Sequence, residues 1–366
     1  MISTSLFPSR YVQGEGALSL LLAEVARLGK QALAIVDPVV RPQVAGAFAQ
    51  ASEVAVTIEN FRGECCDAEI ERQATAARAC GAAVIIGIGG GKALDTAKSV
   101  GHALGKPVVI VPSLASTDAP CSALAVIYTQ EGAFDRYLVL PRNPDVVLVD
   151  TNLIAAAPVR FLVSGMGDAL STWFEAEDCR TSGAANMTGR LGSMTAFALA
   201  RLCYDTLLAH GAEAMQDCAD HKVTDALEKI VEANTLLSGL GFESGGLSGA
   251  HAVHNGLTAL APTHRFWHGE KVAFGTQTLL MLTGRPAGVV AEVYGFCESV
   301  GLPTTLADIG LNAPSDADLL KVAELACAPG ETIFNVPVQV TPQAVVAAMK
   351  AADSYGHGRK PTRHAA

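Results

Sequence analysis

Residues 83–98 read AVIIGIGGGKALDTAK, and this stretch decides the fold. It opens on an apolar, β-branched run, continues through three consecutive glycines that end at Gly91, and passes at Lys92 into residues that favour a helix. A buried strand followed at once by glycines and a helix is typical of a parallel sheet covered by helices. The glycines allow a diphosphate to approach the backbone, and the helix N-terminus offers it free N–H groups. The stretch therefore predicts an α/β domain that binds a nucleotide diphosphate.

The glycine loop differs from the common nucleotide motifs. It lacks the G-x-G-x-x-G spacing, and Ala93 follows Lys92 where a Walker A loop has Ser or Thr. A glycine-rich turn with no ligand is therefore the alternative interpretation. An earlier apolar run, ALAIVD, ends at Asp37, where a carboxylate can bind a ribose diol and repel the extra phosphate of NADP. An acidic residue at a strand end can also cap a loop, so Asp37 predicts NAD only together with the glycine loop.

Similar apolar runs lie on both sides of the glycine loop, and the character of the sequence changes after about residue 155. The predicted strands cover residues 32–37, 54–58, 83–88, 107–112 and 145–150. Two β-patterned runs around a short turn, within residues 123–141, predict an antiparallel hairpin. Beyond them, helical spacing replaces the strand pattern. The helical stretches are residues 171–177, 188–210, 222–240, 269–283 and 342–352.

These patterns predict a protein of the α/β plus all-α class with two domains. We expect an NAD-binding α/β domain over residues 1–157 and a helical domain, metal-binding and catalytic, over residues 158–366. A chain of 366 residues suits two domains, since ~100–200 residues is usual for each.

The composition narrows the partners and the compartment. The formal net charge is −10, which argues against nucleic acids and anionic membranes, because both attract basic surfaces. The first residues lack the pattern of a signal peptide, and no apolar run is long enough for a membrane span. The nine cysteines are scattered, odd in number and without a CxxC pair, which favours reduced thiols. We therefore expect a cytoplasmic protein that acts on a small molecule.

Four of the nine histidines fall within eighteen residues, and they indicate a metal. His251 and His254 are predicted to share one helix face, and His264 and His268 another. Two imidazoles with one carboxylate suit Zn²⁺ and leave a coordination position for water or substrate. The HExxH motif of metalloproteases is absent. The residues alone leave open which histidines bind the metal.

Asp168, in the run SGMGDALSTW, is the candidate carboxylate. The run lies at the start of a predicted helix, so the alternative is an aspartate that caps the helix N-terminus. The histidine cluster favours the metal over the cap, because one carboxylate with two imidazoles is a suitable ligand set for Zn²⁺.

Five blocks of the sequence together resemble one known family. In chain order they are GIGGGKALDTAK, PSLASTDAPCSALAVIYT, GMGDALSTWFEA, SGGLSGAHAVHNGLTAL and HGEKVAFGT. Their order and spacing resemble the glycerol dehydrogenases of the iron-containing alcohol dehydrogenase superfamily from about residue 8 to residue 355. The resemblance implies a dehydroquinate-synthase-like fold, with an N-terminal Rossmann-like domain and a C-terminal helical domain. It also implies a homo-octamer.

The resemblance assigns site residues by position. The metal ligands implied are Asp168, His251 and His268. The substrate-side residues implied are Asp118, which would bind a substrate hydroxyl, and His254, which would lie behind the ligands or beside the substrate. The cofactor contacts implied are Asp37, Gly89, Gly90, Gly91, Lys92, Asp95, Ser113, Ser122, Leu124 and Tyr128.

One position distinguishes branches of the superfamily. Iron-dependent members that resemble this chain place a further histidine four residues after the ligand aspartate, whereas this chain has Thr172. The resemblance therefore implies Zn²⁺ rather than Fe²⁺. The chain departs from the family pattern at Ser113, Cys121 and the pair Phe266-Trp267, and Trp267 stands directly before the implied ligand His268.

The function expected is the transfer of a hydride from glycerol, or a related vicinal diol, to NAD, with a metal ion polarising the hydroxyl. The alternative within the same scaffold is an NAD-dependent reductase of 2-oxo acids or hydroxyketones. Phosphorylated substrates are disfavoured, because only Arg265 and Lys271 accompany the histidine block. An alternative of another class is a non-catalytic nucleotide-binding protein with a structural metal.

Overall fold

The computed structural model describes residues 2–360, which form two compact units. The sheet unit comprises Leu6–Leu162 together with Gln216–Gly239. The helical unit comprises the described residues up to Ser5, Val163–Met215, and the described residues from Leu240 on. We expected a single domain boundary near residue 157. The sheet unit, however, also contains Gln216–Gly239, a stretch from the helical half of the sequence.

The core of the sheet unit is a six-stranded parallel sheet with the order β1-β8-β5-β4-β2-β3. Its strands are β1 Tyr11–Gly14, β2 Gln31–Val36, β3 Ala55–Asn60, β4 Val84–Gly89, β5 Val108–Pro112 and β8 Val146–Asp150. The five predicted strands are confirmed. The first strand was not predicted, because it has four half-buried residues and no continuous apolar run.

A separate hairpin pairs β6, Leu124–Tyr128, with β7, Phe134–Val139, in antiparallel register. The predicted hairpin is thus confirmed.

Helices cover the sheet and include one that arrives from later in the sequence. The helices of this unit are α1 Leu21–Ala26, α2 Arg41–Phe48, α3 Asp67–Ala79, α4 Gly91–Leu104, α5 Thr151–Ala156 and α8 Asp225–Glu232. The last of these contacts β1: the Gln13 amide donates hydrogen bonds to the backbone carbonyl and the carboxylate of Glu228, at 2.8 and 2.7 Å. Helix α8 continues into a π-helical segment, Ala233–Leu237.

The helical unit is built from long helices, as predicted. They are α6 Val159–Ser182, α7 Met194–Ala219, α9 Ser238–Gly245, α10 Gly249–Leu257, α11 His268–Leu282, α12 Ala287–Val300, α13 Asp316–Ala326 and α14 Pro342–Arg359, of which α6, α7 and α9 extend past the unit boundaries. Four of them, α10, α11, α13 and α14, enclose an apolar core that includes Val253, Phe274, Val322 and Met349. Within residues 2–360, none of the helices has the length and apolar character needed to cross a membrane.

Candidate metal centre and nucleotide loop

Asp168 lies in the interior of α6 and not at the start of a helix, so the N-cap alternative is wrong. The helix begins at Val159, directly after Pro158. The Asp168 side chain is fully buried. A carboxylate removed from water needs compensating charge close by, so its neighbours determine what it does.

Two imidazoles face this carboxylate. The Nε2 atom of His251, in the first turn of α10, lies 3.3 Å from Asp168 Oδ1, and the Nε2 atom of His268, the first residue of α11, lies 3.2 Å from it. One ligand atom from each of the three groups lies within 4.8 Å of the others. Among residues 2–360 this is the group of His, Cys, Asp and Glu side chains arranged to hold a metal ion.

A close helix contact positions two of the three groups. A Cβ atom on Gly269 would lie 1.7 Å from the backbone oxygen of Ser164, and one on Gly167 would lie 2.4 Å from the backbone oxygen of Gly269. Only glycine fits at this contact between α6 and α11. Each glycine is next in sequence to a candidate ligand, Asp168 or His268, so the contact brings these two side chains together.

Glu175 orients His251. It lies seven residues after Asp168 in α6, and its Oε2 atom lies 2.7 Å from His251 Nδ1. Its Oε1 atom accepts hydrogen bonds from the backbone N–H groups of Ser248 and His251, at 2.9 and 3.1 Å. The carboxylate thus caps the start of α10 and holds the His251 ring. The seven-residue spacing from Asp168, two helical turns on one face, was the signal in the sequence, and it was missed.

The donor set fits a divalent metal. Because Glu175 accepts the Nδ1 proton of His251, a neutral His251 ring presents an Nε2 lone pair to the Asp168 carboxylate. A nitrogen and an oxygen lone pair that face each other call for a cation between them. Burial acts against charge on Asp168, but His268 and His251 hold the pKa of its carboxyl well below the ordinary value. Burial likewise acts against the imidazolium of His251, but Glu175 and Asp168 raise the pKa of that ring well above its usual range.

The other two histidines of the cluster have different surroundings. His254 is buried, and its Nε2 atom lies 3.1 Å from His268 Nδ1. Burial and the neighbouring His268 lower the pKa of His254 well below the ordinary value. His264 is exposed, and its Nε2 atom contacts the backbone oxygen of Thr258 at 2.9 Å. His264 lies in a 3₁₀ turn, Ala261–Arg265, and α11 begins only at His268, so the prediction that these two share a helix face is wrong.

Thr172 stands where the resemblance implies a further histidine in iron-dependent members. It is buried, and its methyl group lies 2.4 Å from where a Cβ atom on Gly241 of α9 would be. Its side chain therefore packs against α9.

In the sheet unit, the glycine loop and Asp37 lie side by side. Gly89 has φ +152°, and a Cβ atom there would lie 2.8 Å from Asp37 Cβ. The backbone N–H of Asp37 donates to the carbonyl of Ile88, at 2.9 Å, so the ends of β2 and β4 meet at this edge. Asp37 also accepts a hydrogen bond from the backbone N–H of Val39, at 3.0 Å. The carboxyl edge of a parallel sheet at such a place is a usual nucleotide position.

Lys92 and Tyr128 flank the loop. The Lys92 Nζ atom lies 2.7 Å from Glu64 Oε2 and 4.6 Å from the centre of the Tyr128 ring. Sequence reasoning missed Glu64, because nothing in the pattern of residues 60–66 points towards the glycine loop.

Asp95 is engaged within the protein. Its Oδ2 atom accepts a hydrogen bond from the backbone N–H of Val126 in β6, at 2.9 Å, and Oδ1 lies 3.1 Å from Lys98 Nζ. Lys98 in turn donates to the backbone oxygens of Ala119 and Leu124, at 2.6 and 2.8 Å, and lies 3.5 Å from Ser122 Oγ. Asp95 therefore fastens the hairpin to α4, and its contact with a cofactor stays a prediction.

Ser113 is buried, and its backbone N–H donates to the Gly89 carbonyl at 2.9 Å. It thus borders the glycine loop. The cofactor contacts of Ser113, Ser122 and Leu124 stay predictions.

Asp118 precedes the 3₁₀ turn Ala119–Cys121, and its side chain makes no capping hydrogen bond to that turn. Its Oδ2 atom accepts a hydrogen bond from Ser238 Oγ, at 2.9 Å. Ser238 follows directly on the π-helical segment, 120 residues away in sequence, and sequence reasoning did not find it.

Residues 8–151 match the sequence profile of the family described as iron-containing alcohol dehydrogenase. Over 362 residues the chain is 60% identical to a glycerol dehydrogenase of Thermotoga maritima, a match that covers 98% of this chain and 99% of that protein. A glycolaldehyde reductase of Halobacterium salinarum is 46% identical over 359 residues, 96% of this chain and 98% of the relative. The crystal structure of a probable glycerol dehydrogenase from Sinorhizobium meliloti has a TM-score of 0.93 at 46% identity, covering 98% of this chain and 100% of that one.

Proposed function

The chain belongs to the glycerol dehydrogenases of the iron-containing alcohol dehydrogenase family, and from that membership we infer that it passes a hydride from glycerol to NAD, giving dihydroxyacetone. The resemblance read from the five sequence blocks and the fold it implied are confirmed. The observation that carries the inference is the convergence of Asp168, His251 and His268, a donor set for one catalytic divalent metal. The alternative of a non-catalytic nucleotide-binding protein is set aside, because the family consists of oxidoreductases that act on CH–OH groups.

We propose that Asp168, His251 and His268 hold the metal, which when bound supplies a Lewis acid that polarises the substrate hydroxyl. Asp168 offsets part of the metal charge, and Glu175 keeps the His251 ring in the ligating orientation. Zn²⁺ is proposed over Fe²⁺, because the set has three protein ligands and Thr172 packs against α9.

The hydride acceptor is NAD. The cofactor itself supplies the redox chemistry, and the sheet unit supplies the residues that bind it. We propose that the N–H groups at the start of α4 bind its diphosphate and that Asp37 binds the ribose diol. Lys92 adds a positive charge beside the loop. Asp118 is proposed to accept a hydrogen bond from a second substrate hydroxyl, which favours polyols over simple alcohols.

The test is NAD reduction by the zinc-loaded protein with a panel of alcohols, comprising glycerol, propylene glycol, lactate and isopropanol. We expect glycerol to give the highest kcat/KM. A preference for lactate would replace the proposal by the hydroxy-acid alternative.

Reduction of glycolaldehyde is a second candidate activity, because a glycolaldehyde reductase is 46% identical over nearly the whole chain. Glycolaldehyde and dihydroxyacetone both carry a hydroxyl next to the carbonyl, so the same donors would bind either. Measuring NADH oxidation with each carbonyl compound separates them.

We also propose that the enzyme works in the cytoplasm as a homo-oligomer. The cytoplasm is supported by nine free cysteines among the described residues. The oligomer rests on the family resemblance, which implies an octamer, and light scattering on the purified protein tests it.

A further inference from the structure

A chain of hydrogen bonds runs from Glu331 to His268 within the helical unit. The Asn255 Nδ2 atom donates to the Glu331 carboxylate, with 3.3 and 3.2 Å to its two oxygens. Asn255 Oδ1 lies 3.2 Å from His254 Nδ1, and His254 Nε2 lies 3.1 Å from His268 Nδ1. Beyond His268, its Nε2 atom faces Asp168 at 3.2 Å.

The direction of every bond in this chain follows from its outer end. A carboxylate only accepts hydrogen bonds, so Glu331 fixes the Asn255 amide with its NH₂ group outward and its oxygen towards His254. That oxygen also only accepts, so the proton of His254 sits on Nδ1 and its Nε2 is a bare acceptor. His268 must then carry a proton on Nδ1, so a neutral His268 ring, as a metal ligand requires, presents its Nε2 lone pair on the side of Asp168.

We propose that Glu331, Asn255 and His254 form a positioning relay that fixes the tautomer and ring orientation of His268 for the metal. The inference rests on the proposed metal centre and extends it to residues without contact to the ion. The relay orients the His268 ring as Glu175 orients the His251 ring, but through three groups instead of one. Partners that orient metal-binding imidazoles in this way raise metal affinity, and their loss typically costs about 10–100-fold. The alternative interpretation is that His254 and Asn255 have only a packing role between α10 and α11.

The first measurement is the Zn²⁺ dissociation constant of the full-length protein, by competition with a chromogenic chelator. His254→Phe keeps a ring but removes the acceptor for His268, and we expect zinc to bind about 10–100-fold more weakly. Glu331→Ala should weaken zinc binding in the same direction. Glu331→Gln should bind zinc nearly as the unmodified protein does, because a glutamine oxygen still accepts from Asn255. His264→Phe is the matched control, since His264 lies outside the relay, and it should leave the constant unchanged.

The second measurement is the ring ¹⁵N spectrum of metal-free protein labelled at histidine, with His268→Gln to assign the signal. We expect His268 to carry a proton on Nδ1, the atom that faces His254. Full zinc affinity in His254→Phe, equal losses in the two Glu331 variants, or a His268 ring protonated only at Nε2 would each overturn the relay. If the unmodified protein bound no zinc, the metal centre would fail, and the ring spectrum would still decide the tautomer.

Discussion

At the scale of single residues, the four clustered histidines differ in what their ring nitrogens face. The His251 and His268 rings face the buried Asp168, and the His264 ring faces a backbone carbonyl at the surface. We expect His251→Ala and His268→Ala each to lose both bound metal and glycerol oxidation, because two ligands are too few for a stable site. The His264→Ala protein should keep its metal. Elemental mass spectrometry gives metal per chain, and full occupancy in His251→Ala would reassign the ligands.

Asp37 is expected to determine the choice of cofactor. Its carboxylate stands beside the glycine loop, where it would bind a ribose hydroxyl of NAD and repel the extra phosphate of NADP. A hydrogen bond to a charged group contributes ~1.5–3 kcal/mol, so Asp37→Gly should lower kcat/KM with NAD on the order of 10- to 100-fold and narrow the gap to NADP. The measurement is kcat/KM with each cofactor. Equal efficiency with both in the unmodified enzyme would contradict this role.

Asp118 is expected to select polyols. Asp118→Asn keeps an oxygen for the Ser238 hydroxyl but loses the negative charge, so the fold should change little. If Asp118 bonds the non-reacting hydroxyl, glycerol should lose on the order of 10- to 100-fold in kcat/KM and isopropanol much less. A melting curve serves as the control. Parallel losses on both alcohols would count against the substrate role.

The sequence pointed to the candidate metal ligands but not to the carboxylates that orient the residues around them. Four histidines within eighteen residues are a local signal, and composition alone points to a metal. Glu175 and Glu331 lie 76 residues from the groups they hold, His251 and Asn255, so no local pattern links them to the histidine cluster. Only the packing of α6, α10 and the chain before Thr332 brings them to the histidines.

At the scale of elements, the contact between α6 and α11 depends on two glycines. Gly269→Ala would place a methyl group 1.7 Å from the Ser164 carbonyl, so the helices must separate and Asp168 and His268 move apart. We expect a loss of about 1–3 kcal/mol in unfolding free energy, with weaker metal binding. Denaturant unfolding and zinc titration measure the two effects.

Gly295→Ala, inside α12, is the matched control. Its nearest neighbour beyond the helix would be the end of the Arg359 side chain, at 3.8 Å. Alanine favours a helix interior by up to ~1 kcal/mol over glycine, so this variant should be as stable as the unmodified protein or more so. If Gly269→Ala behaved in the same way, the contact would not be what holds the two ligands together.

Element prediction succeeded where the core is continuous and failed where tertiary contacts override local preference. The parallel strands are unbroken apolar runs, so periodicity found them. The start of α6 was placed too late, because glycines at 165 and 167 disfavour a helix by themselves. The presence of Gly167 inside the helix is explained by the approach of α11, which no local pattern contains.

At the scale of the whole molecule, metal binding is expected to add to folding stability. The three proposed ligands come from α6, α10 and α11, so an ion that binds only the folded chain would link helices far apart in sequence. At free zinc one hundred times its dissociation constant, the gain is ~2.7 kcal/mol. Calorimetry should therefore show a lower Tm after chelator treatment. The Tm of His268→Ala should be the same with and without zinc. A Tm of the unmodified protein that chelator treatment did not change would argue against the metal site.

Gln216–Gly239 belongs to the sheet unit although it follows part of the helical unit in sequence, and this limits where related genes can recombine. In a gene recombined with a relative's at a single breakpoint near residue 162, Tyr11 would come from one parent and Thr235, whose hydroxyl lies 2.6 Å from the tyrosine oxygen, from the other. The pairing of Gln13 with Glu228 would be divided in the same way. A chimera that takes residues 216–239 from the same parent as residues 6–162 needs three breakpoints, after residues 162, 215 and 239. Gene shuffling in this family should therefore yield functional hybrids in which these two stretches share an ancestor.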